Sequence, residues 1–209
     1  MPYEWYPMQG EVARRIYRRD VPGFFRKMLI IGGLQQVLII QDSTVREVLT
    51  QGKHNVRRSL TKDRSAVYLD LSDKELPYSF SGLKLTDGIV ITCYGSIRFR
   101  INYSSIPRLR INYSQLFYTN LFTSGDTLSI DGLLAKLKPQ LQNAVAPVFH
   151  PYHAEDLYGN PQVRNVCNDA LNQETQNNLQ KYGLTLTQIT TNYIFPQEWI
   201  DHYRGGLPT

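Results

Sequence analysis

The stretch KLTDGIVITCYGSIRFRI, residues 84–101, begins with a turn signal and continues as a long β-branched run. Asp87-Gly88 is a turn signal, and the β-branched run that follows it is typical of a strand. The odd-numbered residues from Ile89 to Ile101 are mostly apolar, so alternation predicts that they share one face. Gly95 interrupts this face and would permit a bulge. We therefore predict a turn followed by a long strand.

The segment upstream of this strand is also rich in β signals. LQQVLII (34–40) and TVREVL (44–49) flank the turn signal Gln41-Asp42-Ser43, which predicts a hairpin. AVYLDLS (66–72) alternates apolar and polar residues and is typical of a half-buried strand. The chain from residue 34 to residue 101 is therefore predicted to be mainly β.

The second half of the chain is predicted to be mainly helical. Apolar residues over 128–149 recur at helical spacing, although Pro139 predicts a kink or two shorter helices. Asn160-Pro161 is typical of a capped helix start, and the helical pattern ends at Gly183. The threonine-rich stretch that follows, terminated by Pro196, is predicted to be a final strand. This order of elements predicts an α+β fold in a single domain.

The string R-x-R-I-N-Y-S occurs twice within residues 98–114, RFRINYSSIPRLRINYS. Our hypothesis is that the two copies pair as an antiparallel hairpin with the basic side chains on one solvated face. That face would carry Arg98, Arg100, Arg108 and Arg110. Both N-Y-S tripeptides fit the glycosylation rule, but no secretory signal is visible, so we expect them to be unmodified.

Composition excludes several classes of protein. Apolar residues make up 42% and charged residues 20%, as in an ordinary globular protein, and the net charge of +5 mildly favours anionic partners. Cys93 and Cys167 lack metal or disulfide spacing and are predicted to be small buried residues. The most apolar stretch, MLIIGGLQQVLII, is shorter than the ~20 residues of a spanning helix. We expect a cytoplasmic protein that does not cross a membrane by itself.

The N-terminal arginines leave two alternatives open. On a helix from about Glu11 to Arg19, Arg14 and Arg18 would share one face and Arg15 and Arg19 another. Such a basic segment could rest on an anionic membrane surface. The alternative, which we favour, is an ordinary solvated helix or arm packed on the domain.

Candidate catalytic chemistry is sparse. His150 and His153 form an H-x-x-H pair with Glu155 and Asp156 close behind, which would suit a metal. Pro151 lies between the histidines and no third ligand is fixed by the sequence, so a structural loop is favoured. Motifs typical of nucleophilic, phosphate-binding or zinc-dependent enzymes are missing from the sequence. We therefore predict no catalytic, cofactor-binding or metal-binding residues.

Four stretches, in this order, resemble the SPFH domain family of stomatin, prohibitin and flotillin, also called band 7. LQQVLIIQDSTVREVLTQGKHNV is similar to the family's opening hairpin and its glycine-basic segment. KLTDGIVITCYGSIRFRI resembles its central strand pair. The helix predicted over 161–182 and the stretch KYGLTLTQITTNYIFPQEW are similar to its closing helix and strand. The variant that reads YGS before the strand, and that begins with a soluble segment instead of a membrane hairpin, is similar to the prokaryotic branch labelled virion-core-protein-like.

The resemblance implies a twisted, mostly antiparallel sheet with helices packed on it, and a non-catalytic scaffolding role. It divides the chain into a basic and aromatic arm over 1–33, an SPFH-like domain over 34–199 and a tail over 200–209. The sequence ends at Thr209 without the long coiled-coil segment of stomatins and flotillins. We therefore do not expect this chain to form large rings by itself.

Three classes of function follow from these observations. We favour a scaffold that self-associates as a homo-oligomer, with peripheral contact to a membrane surface as an open question. The competing class is a nucleic-acid-binding protein that uses the basic strand face, which would bind in a strongly salt-dependent way. The least favoured class is a metal-dependent enzyme built on His150 and His153.

Overall fold

The computed structural model describes residues 1–23, 27–102, 105–106, 111–122 and 125–205. The strands are β1 (Tyr3–Glu4), β2 (Glu11–Tyr17), β3 (Met28–Ile31), β4 (Gln35–Gln41), β5 (Thr44–Leu49), β6 (Gly52–Asn55), β7 (Arg64–Asp70), β8 (Lys74–Lys84), β9 (Val90–Ile101), β10 (Ser105–Ile106), β11 (Ile111–Asn112), β12 (Thr127–Ser129) and β13 (Leu184–Ile194). The helices are α1 (Tyr113–Leu121), α2 (Ile130–Phe149), α3 (Ala154–Gly159), α4 (Pro161–Gln180) and α5 (Gln197–Gly205).

The α+β class and the mostly antiparallel sheets confirm the predicted fold. The chain divides into two compact units that are interleaved along the sequence. The first unit comprises Met1–Lys74, Arg100–Lys136 and Gln180–Thr185. The second comprises Glu75–Phe99, Leu137–Leu179 and Leu186–Thr209.

The centre of the first unit is a five-stranded sheet with the order β12-β2-β7-β4-β5. Its strand pairs are antiparallel throughout. In β7, Ala66, Val67, Tyr68 and Leu69 are all fully buried, although successive side chains point to opposite faces. The prediction of a half-buried strand is therefore wrong, because both faces of this central strand are covered.

The hairpin predicted from the turn signal is confirmed. β4 and β5 pair in antiparallel fashion from Gln41↔Thr44 to Val37↔Leu49. Asp42 and Ser43 form the connection with φ angles of 50° and 59°. A two-residue loop in which both residues have positive φ matches the twist of the flanking strands.

The N-terminal segment is a strand, so the predicted helix over residues 11–19 is wrong. β2 lies between β12 and β7, and Val12, Ala13 and Ile16 are buried. The apolar spacing of this segment fits either a helix or a strand buried on both faces, and pairing with two neighbours favours the strand. A hydrophobic cluster beside this sheet contains Trp5, Ile16, Val21, Leu29, Ile31, Val37, Ile39, Leu49, Val56, Leu60, Ala66 and Tyr68.

Two smaller sheets complete the first unit. β3 pairs with β1 in parallel and with β6 in antiparallel fashion. β10 pairs with β11 through Ser105↔Asn112 and Ile106↔Ile111. The described end of the second R-x-R-I-N-Y-S copy therefore pairs with the segment that connects the two copies.

The remaining sheet has the order β13-β9-β8, and its middle strand contains the β-branched run that follows Asp87-Gly88. The odd-numbered residues Ile91, Cys93, Ile97, Phe99 and Ile101 are buried, as predicted, and the same face stays buried across Gly95. The first copy of the repeat lies in β9, and β8 and β13 already occupy both sides of that strand. The predicted hairpin between the two copies is therefore wrong within the described residues, and residues 107–110 lie outside them.

Gly95 is required by the close approach of another strand. A Cβ atom built on it would lie 1.9 Å from the carbonyl oxygen of Thr190 in β13. That carbonyl accepts a hydrogen bond from the Tyr78 hydroxyl of β8 at 3.0 Å. Tyr78 of β8 is thus bonded to the β13 carbonyl that occupies the place of the missing side chain.

The predicted helices are confirmed in outline. α2 is a single helix despite Pro139, which excludes the division into two shorter helices. Its buried residues recur every four positions, at Leu133, Leu137, Leu141, Val145 and Phe149.

At the start of α4, the Asn160 side chain accepts the backbone N–H of Gln162 at 3.0 Å and that of Val163 at 3.4 Å. This is the predicted cap, placed directly before Pro161. The helix α5 over Gln197–Gly205 was not predicted; it follows Pro196 and includes most of the segment that the sequence suggests is a tail.

Candidate assembly edge and basic surfaces

Arg14 is engaged with a buried carboxylate. Its Nε lies 2.7 Å from Glu11 Oε1, and Glu11 is only 7% exposed. The other oxygen of Glu11 accepts hydrogen bonds from Trp5 Nε1 and the Met8 backbone N–H, each at 3.1 Å. The hydrogen bond to Glu11 raises the pKa of Arg14. Arg14 therefore serves to compensate a buried charge rather than to present a free cation.

Arg15 packs on aromatic rings. Its guanidinium lies 5.2 Å from the centroid of Phe122 and 5.9 Å from that of Tyr118, whose hydroxyl accepts a hydrogen bond from it at 3.4 Å. Its Nε is buried and has no hydrogen-bond partner among the described residues. This cation–π packing ties β2 to α1 and is structural.

Arg18 and Arg19 lie in the turn after β2 and keep their charges near solvent. The Arg19 side chain is 81% exposed, lies 5.2 Å from the Tyr17 ring centroid, and approaches Asp20 Oδ1 at 3.8 Å. Arg18 is half-buried, and its backbone carbonyl accepts a hydrogen bond from Lys27 Nζ at 2.9 Å. Of the four N-terminal arginines, these two remain available to an anionic partner.

The basic face predicted for the repeat is described only in part. Arg98 and Arg100 are exposed on β9, as alternation predicts, whereas Arg108 and Arg110 lie outside the described residues. Arg98 forms an ion pair with Glu75 of β8 at 2.9 Å, and this hydrogen bond lowers the pKa of Glu75. One of the two described arginines therefore already has a counter-charge.

The histidine pair is split between two local environments. The backbone carbonyl of His150 accepts a hydrogen bond from the Thr86 hydroxyl, while His153 directly precedes α3. His153 lines a cavity of about 440 Å³ together with Asp87, Glu155, Asp156, Trp199, His202 and Tyr203. Across the described part of the chain, no group of three or more potential ligands is arranged to hold a metal ion.

An aromatic cluster at the C-terminal end was missed by the sequence analysis. Phe195 stacks on Trp199 with centroids 5.3 Å apart, and Trp199 stacks on Tyr203 at 5.2 Å. Tyr158 contacts all three rings edge-on, and its hydroxyl accepts a hydrogen bond from Arg204 at 3.0 Å. The spacing of four residues between the three aromatic positions is the helical signal that could have predicted α5.

Both cysteines are free and buried, which confirms the prediction for them. Cys93 lies 3.7 Å from the Tyr78 hydroxyl, and Cys167 lies 3.8 Å from the Tyr193 hydroxyl. Burial raises the pKa of the Cys93 thiol to about 12 and that of the Cys167 thiol to about 11. Neither thiol is therefore activated as a nucleophile.

β13 is an edge strand of the β13-β9-β8 sheet, and it is the longest described edge with no protective residue. Its eleven residues, LTLTQITTNYI, include no charged residue and no proline. Gln188, Asn192 and Ile194 are exposed along it. The backbone N–H of Leu186 is bonded to Gln176 Oε1 of α4 at 2.9 Å, so a side chain there takes the place of a neighbouring strand.

Comparison with family models gives a match to the SPFH domain / Band 7 family over residues 29–203. The chain belongs to the SPFH/Band 7 family. The match confirms the resemblance and extends from β3 into α5. SPFH/Band 7 proteins are in general non-enzymatic scaffolds associated with membranes. No curated protein matches the chain. Among the helices of the described residues, none combines the length and apolarity needed to span a bilayer.

Proposed function

We propose that this SPFH domain is a non-catalytic scaffold that self-associates through the edge of β13 and contacts an anionic membrane surface. The observation that carries the proposal is the composition of β13. An edge strand presents a row of unpaired backbone groups, and proteins ordinarily protect such an edge with charges, proline or a short length. β13 has eleven residues and none of these devices.

The other edges support this interpretation because they carry the protection that β13 lacks. β8, at the opposite edge of the same sheet, contains Lys74, Glu75, Pro77 and Lys84. β5, at the edge of the five-stranded sheet, is six residues long and carries Arg46 and Glu47. Protection at these edges and its lack at β13 point to β13 as the edge that accepts a partner strand.

The partner that fits this edge is a second copy of the same strand. Antiparallel pairing of two β13 strands about a twofold axis uses the same surface on both copies and closes at a dimer. Such pairing would join two three-stranded sheets into one continuous sheet. The exposed Gln188 and Asn192 would lie at the junction without introducing like charges.

The test is the solution mass by light scattering over a range of protein concentrations. Wild-type protein is expected to give a mass above that of the monomer. The variant Gln188→Lys/Asn192→Lys places lysines along β13 and is expected to be monomeric. The matched control, Ser79→Lys/Ser81→Lys, makes the same charge change at exposed positions of the β8 edge and is expected to self-associate like wild type.

Two results would contradict the assembly edge. Wild-type protein that stays monomeric at every concentration removes self-association altogether. If both lysine variants became monomeric to the same extent, the added charge in general, and not its position on β13, would explain the loss of self-association. Circular dichroism of the variants checks that each one is folded.

Membrane contact is a separate part of the proposal and rests on family membership, on the exposed cations Arg19 and Arg100, and on the half-buried Arg18. Co-sedimentation with vesicles of phosphatidylserine and phosphatidylcholine, compared with phosphatidylcholine alone, tests it. We expect binding only to the anionic vesicles and its loss at high salt, because exposed charges are screened. No sedimentation with either vesicle would refute this part while leaving self-association intact. Deletion of residues 1–28 is unsuitable, because it would remove the buried β2 strand.

A further inference from the structure

The first unit contains a cavity of about 590 Å³, and five of the seven described residues that line it are cationic. Its volume lies within the range of small-molecule binding sites. The cations come from the turn after β2, from the residue before β3 and from the loop between β6 and β7. The described residues of the lining are Tyr17, Arg18, Arg19, Gly23, Lys27, Arg57 and Lys62.

Lys27 organises one wall of this cavity. Its ammonium group donates hydrogen bonds to the backbone carbonyls of Arg18, at 2.9 Å, and of Val21. Its own backbone carbonyl accepts the N–H of Val56 at 2.8 Å. The first pair of bonds fixes the turn that carries Arg18 and Arg19, and the last bond fixes the segment that leads to Arg57. Carbonyl oxygens orient the ammonium without neutralising its charge.

The cations of the cavity are largely without counter-charges. Arg19 approaches Asp20 at 3.8 Å, and the carboxylate of Asp20 also accepts the Tyr17 backbone N–H at 2.7 Å. Among the described residues, no carboxylate lies within ion-pair distance of the other four cations. Those four are Arg18, Lys27, Arg57 and Lys62.

These cations repel one another in the cavity, and an anion bound inside it would relieve that repulsion. Like charges gathered in a concave site repel one another and focus a positive potential. Arginine matches phosphate oxygens with two parallel hydrogen bonds, and lysine binds them as a point charge. One phosphate group carries at most two negative charges near neutral pH, which is fewer than the four unmatched cations.

We infer that this cavity is a binding site for a small ligand that carries more than one phosphate group. The same chemistry occurs in a free polyphosphorylated molecule and in a phosphorylated lipid headgroup. The inference does not depend on self-association or on membrane contact, because a soluble ligand would satisfy the charges equally well.

A nucleic acid fits the cavity less well. Single strands are bound along a groove that combines cations with exposed aromatic platforms for base stacking. Tyr17 is the aromatic residue in the described lining, and its ring is already covered by Arg19 at 5.2 Å.

The test is isothermal titration calorimetry of the whole chain with inositol hexakisphosphate as the probe. Arg57 and Lys62 are exposed at the cavity rim, so Arg57→Glu/Lys62→Glu reverses two charges without disturbing the core. We expect this variant to bind at least about tenfold more weakly than wild type, and Arg57→Gln/Lys62→Gln to show a smaller loss. The control Arg46→Glu/Lys84→Glu reverses one arginine and one lysine at exposed sites elsewhere and is expected to bind within about twofold of wild type.

A second arm identifies the source of the phosphate. Vesicles containing a phosphatidylinositol bisphosphate are compared with phosphatidylserine vesicles of equal charge. Preference for the inositol lipid, with displacement by the soluble probe, identifies a headgroup ligand. Binding of the soluble probe without vesicle binding identifies a free ligand.

Three results would overturn the inference. Wild-type protein that does not bind the probe at low salt removes the site. A control variant that loses as much affinity as the rim variant would assign the binding to diffuse charge. An oligonucleotide that binds more tightly than the probe, with the same dependence on Arg57 and Lys62, would make the cavity part of a nucleic-acid surface.

Discussion

β7 and β13 are both strands without proline, yet they have opposite positions in their sheets. β7 is the third strand of the five-stranded sheet, and its residues from Ala66 to Leu69 are buried on both faces. β13 lies at the edge of its sheet, and its only fully buried residue is Leu184. The difference indicates that β7 belongs to the core of its unit, whereas five of the eleven residues of β13 are exposed.

Removing a large side chain from β7 is expected to cause the largest loss of stability. Tyr68 is fully buried, its hydroxyl donates to the Ile30 carbonyl at 3.2 Å, and its ring contacts Trp5 at 5.6 Å. Tyr68→Ala should lower the free energy of unfolding by about 3–5 kcal/mol, because it leaves a cavity and removes the hydrogen bond to the Ile30 carbonyl. The measurement is urea unfolding followed by circular dichroism. Thr187→Ala on β13 should stay within about 0.5 kcal/mol of wild type, and an equal loss would abolish the contrast between the strands.

Adding a side chain at Gly95 is expected to cause the next largest loss of stability, with the structural disturbance confined to β13. In Gly95→Ala the new Cβ would clash with the Thr190 carbonyl at 1.9 Å, so the strands must separate locally. We expect a loss of about 1–3 kcal/mol. Hydrogen exchange should show faster exchange in β13 and unchanged protection in β7. The control Gly33→Ala, whose Cβ would meet its nearest neighbour at 3.7 Å, should leave both strands protected.

The two cysteines report whether the buried face of β13 opens. Cys93 and Cys167 are buried on β9 and α4, near the hydroxyls of Tyr78 and Tyr193. Their raised pKa values keep both thiols protonated in the folded protein at neutral pH, so alkylation should be slow until denaturant is added. Rapid labelling of either thiol under native conditions would show that this face is not closed.

The same shifts predict how stability responds to alkaline pH. Burial raises the pKa of Cys167 from 9.0 to about 11, so the folded state holds this proton more tightly than the unfolded state. The resulting stabilisation is complete below pH 9.0 and is lost as the pH rises through about 11. Thermal melts of wild type and Cys167→Ala should therefore show a steeper alkaline decline for wild type. Parallel declines would contradict the assignment.

The smallest effect is expected from the solvated face of β9. Arg98→Ala removes the ion pair with Glu75, but both side chains are about half exposed, at 46% and 50%. Exposed pairs contribute little because water and salt screen them, so the urea midpoint should be unchanged within error. Any residual difference should vanish in acid, because Glu75, whose pKa Arg98 lowers, is then protonated with or without the arginine. A midpoint shift as large as that of Gly95→Ala would show that this face is not simply solvated.

Local signals in the sequence were sufficient for those elements whose ends are set by turn or cap chemistry. The β4–β5 hairpin follows from Asp42-Ser43, and the start of α4 follows from Asn160-Pro161. The alternation of β9 predicted its buried face correctly, because one face packs and the other is solvated. In each case the alternation of apolar residues, or a specific turn or cap residue within a few positions, was enough to predict the element.

The errors arise where distant segments decide the outcome. β2 has apolar positions compatible with a helix, and only its pairing with β7 and β12 makes it a strand. The repeat suggested pairing between its two copies, whereas β8 and β13 flank the first copy. The basic cavity was found only in part, because Arg18 and Arg19 were selected from the sequence while Lys27 and Lys62 converge on them through the fold.

The interleaving of the two compact units has a consequence for how this protein can be inherited and divided. The chain passes from one unit to the other after Lys74, Phe99, Lys136, Leu179 and Thr185. Neither unit corresponds to one uninterrupted stretch of gene, so recombination cannot transfer one without the other. A transcript truncated anywhere from residue 75 to residue 184 would encode an incomplete first unit together with fragments of the second.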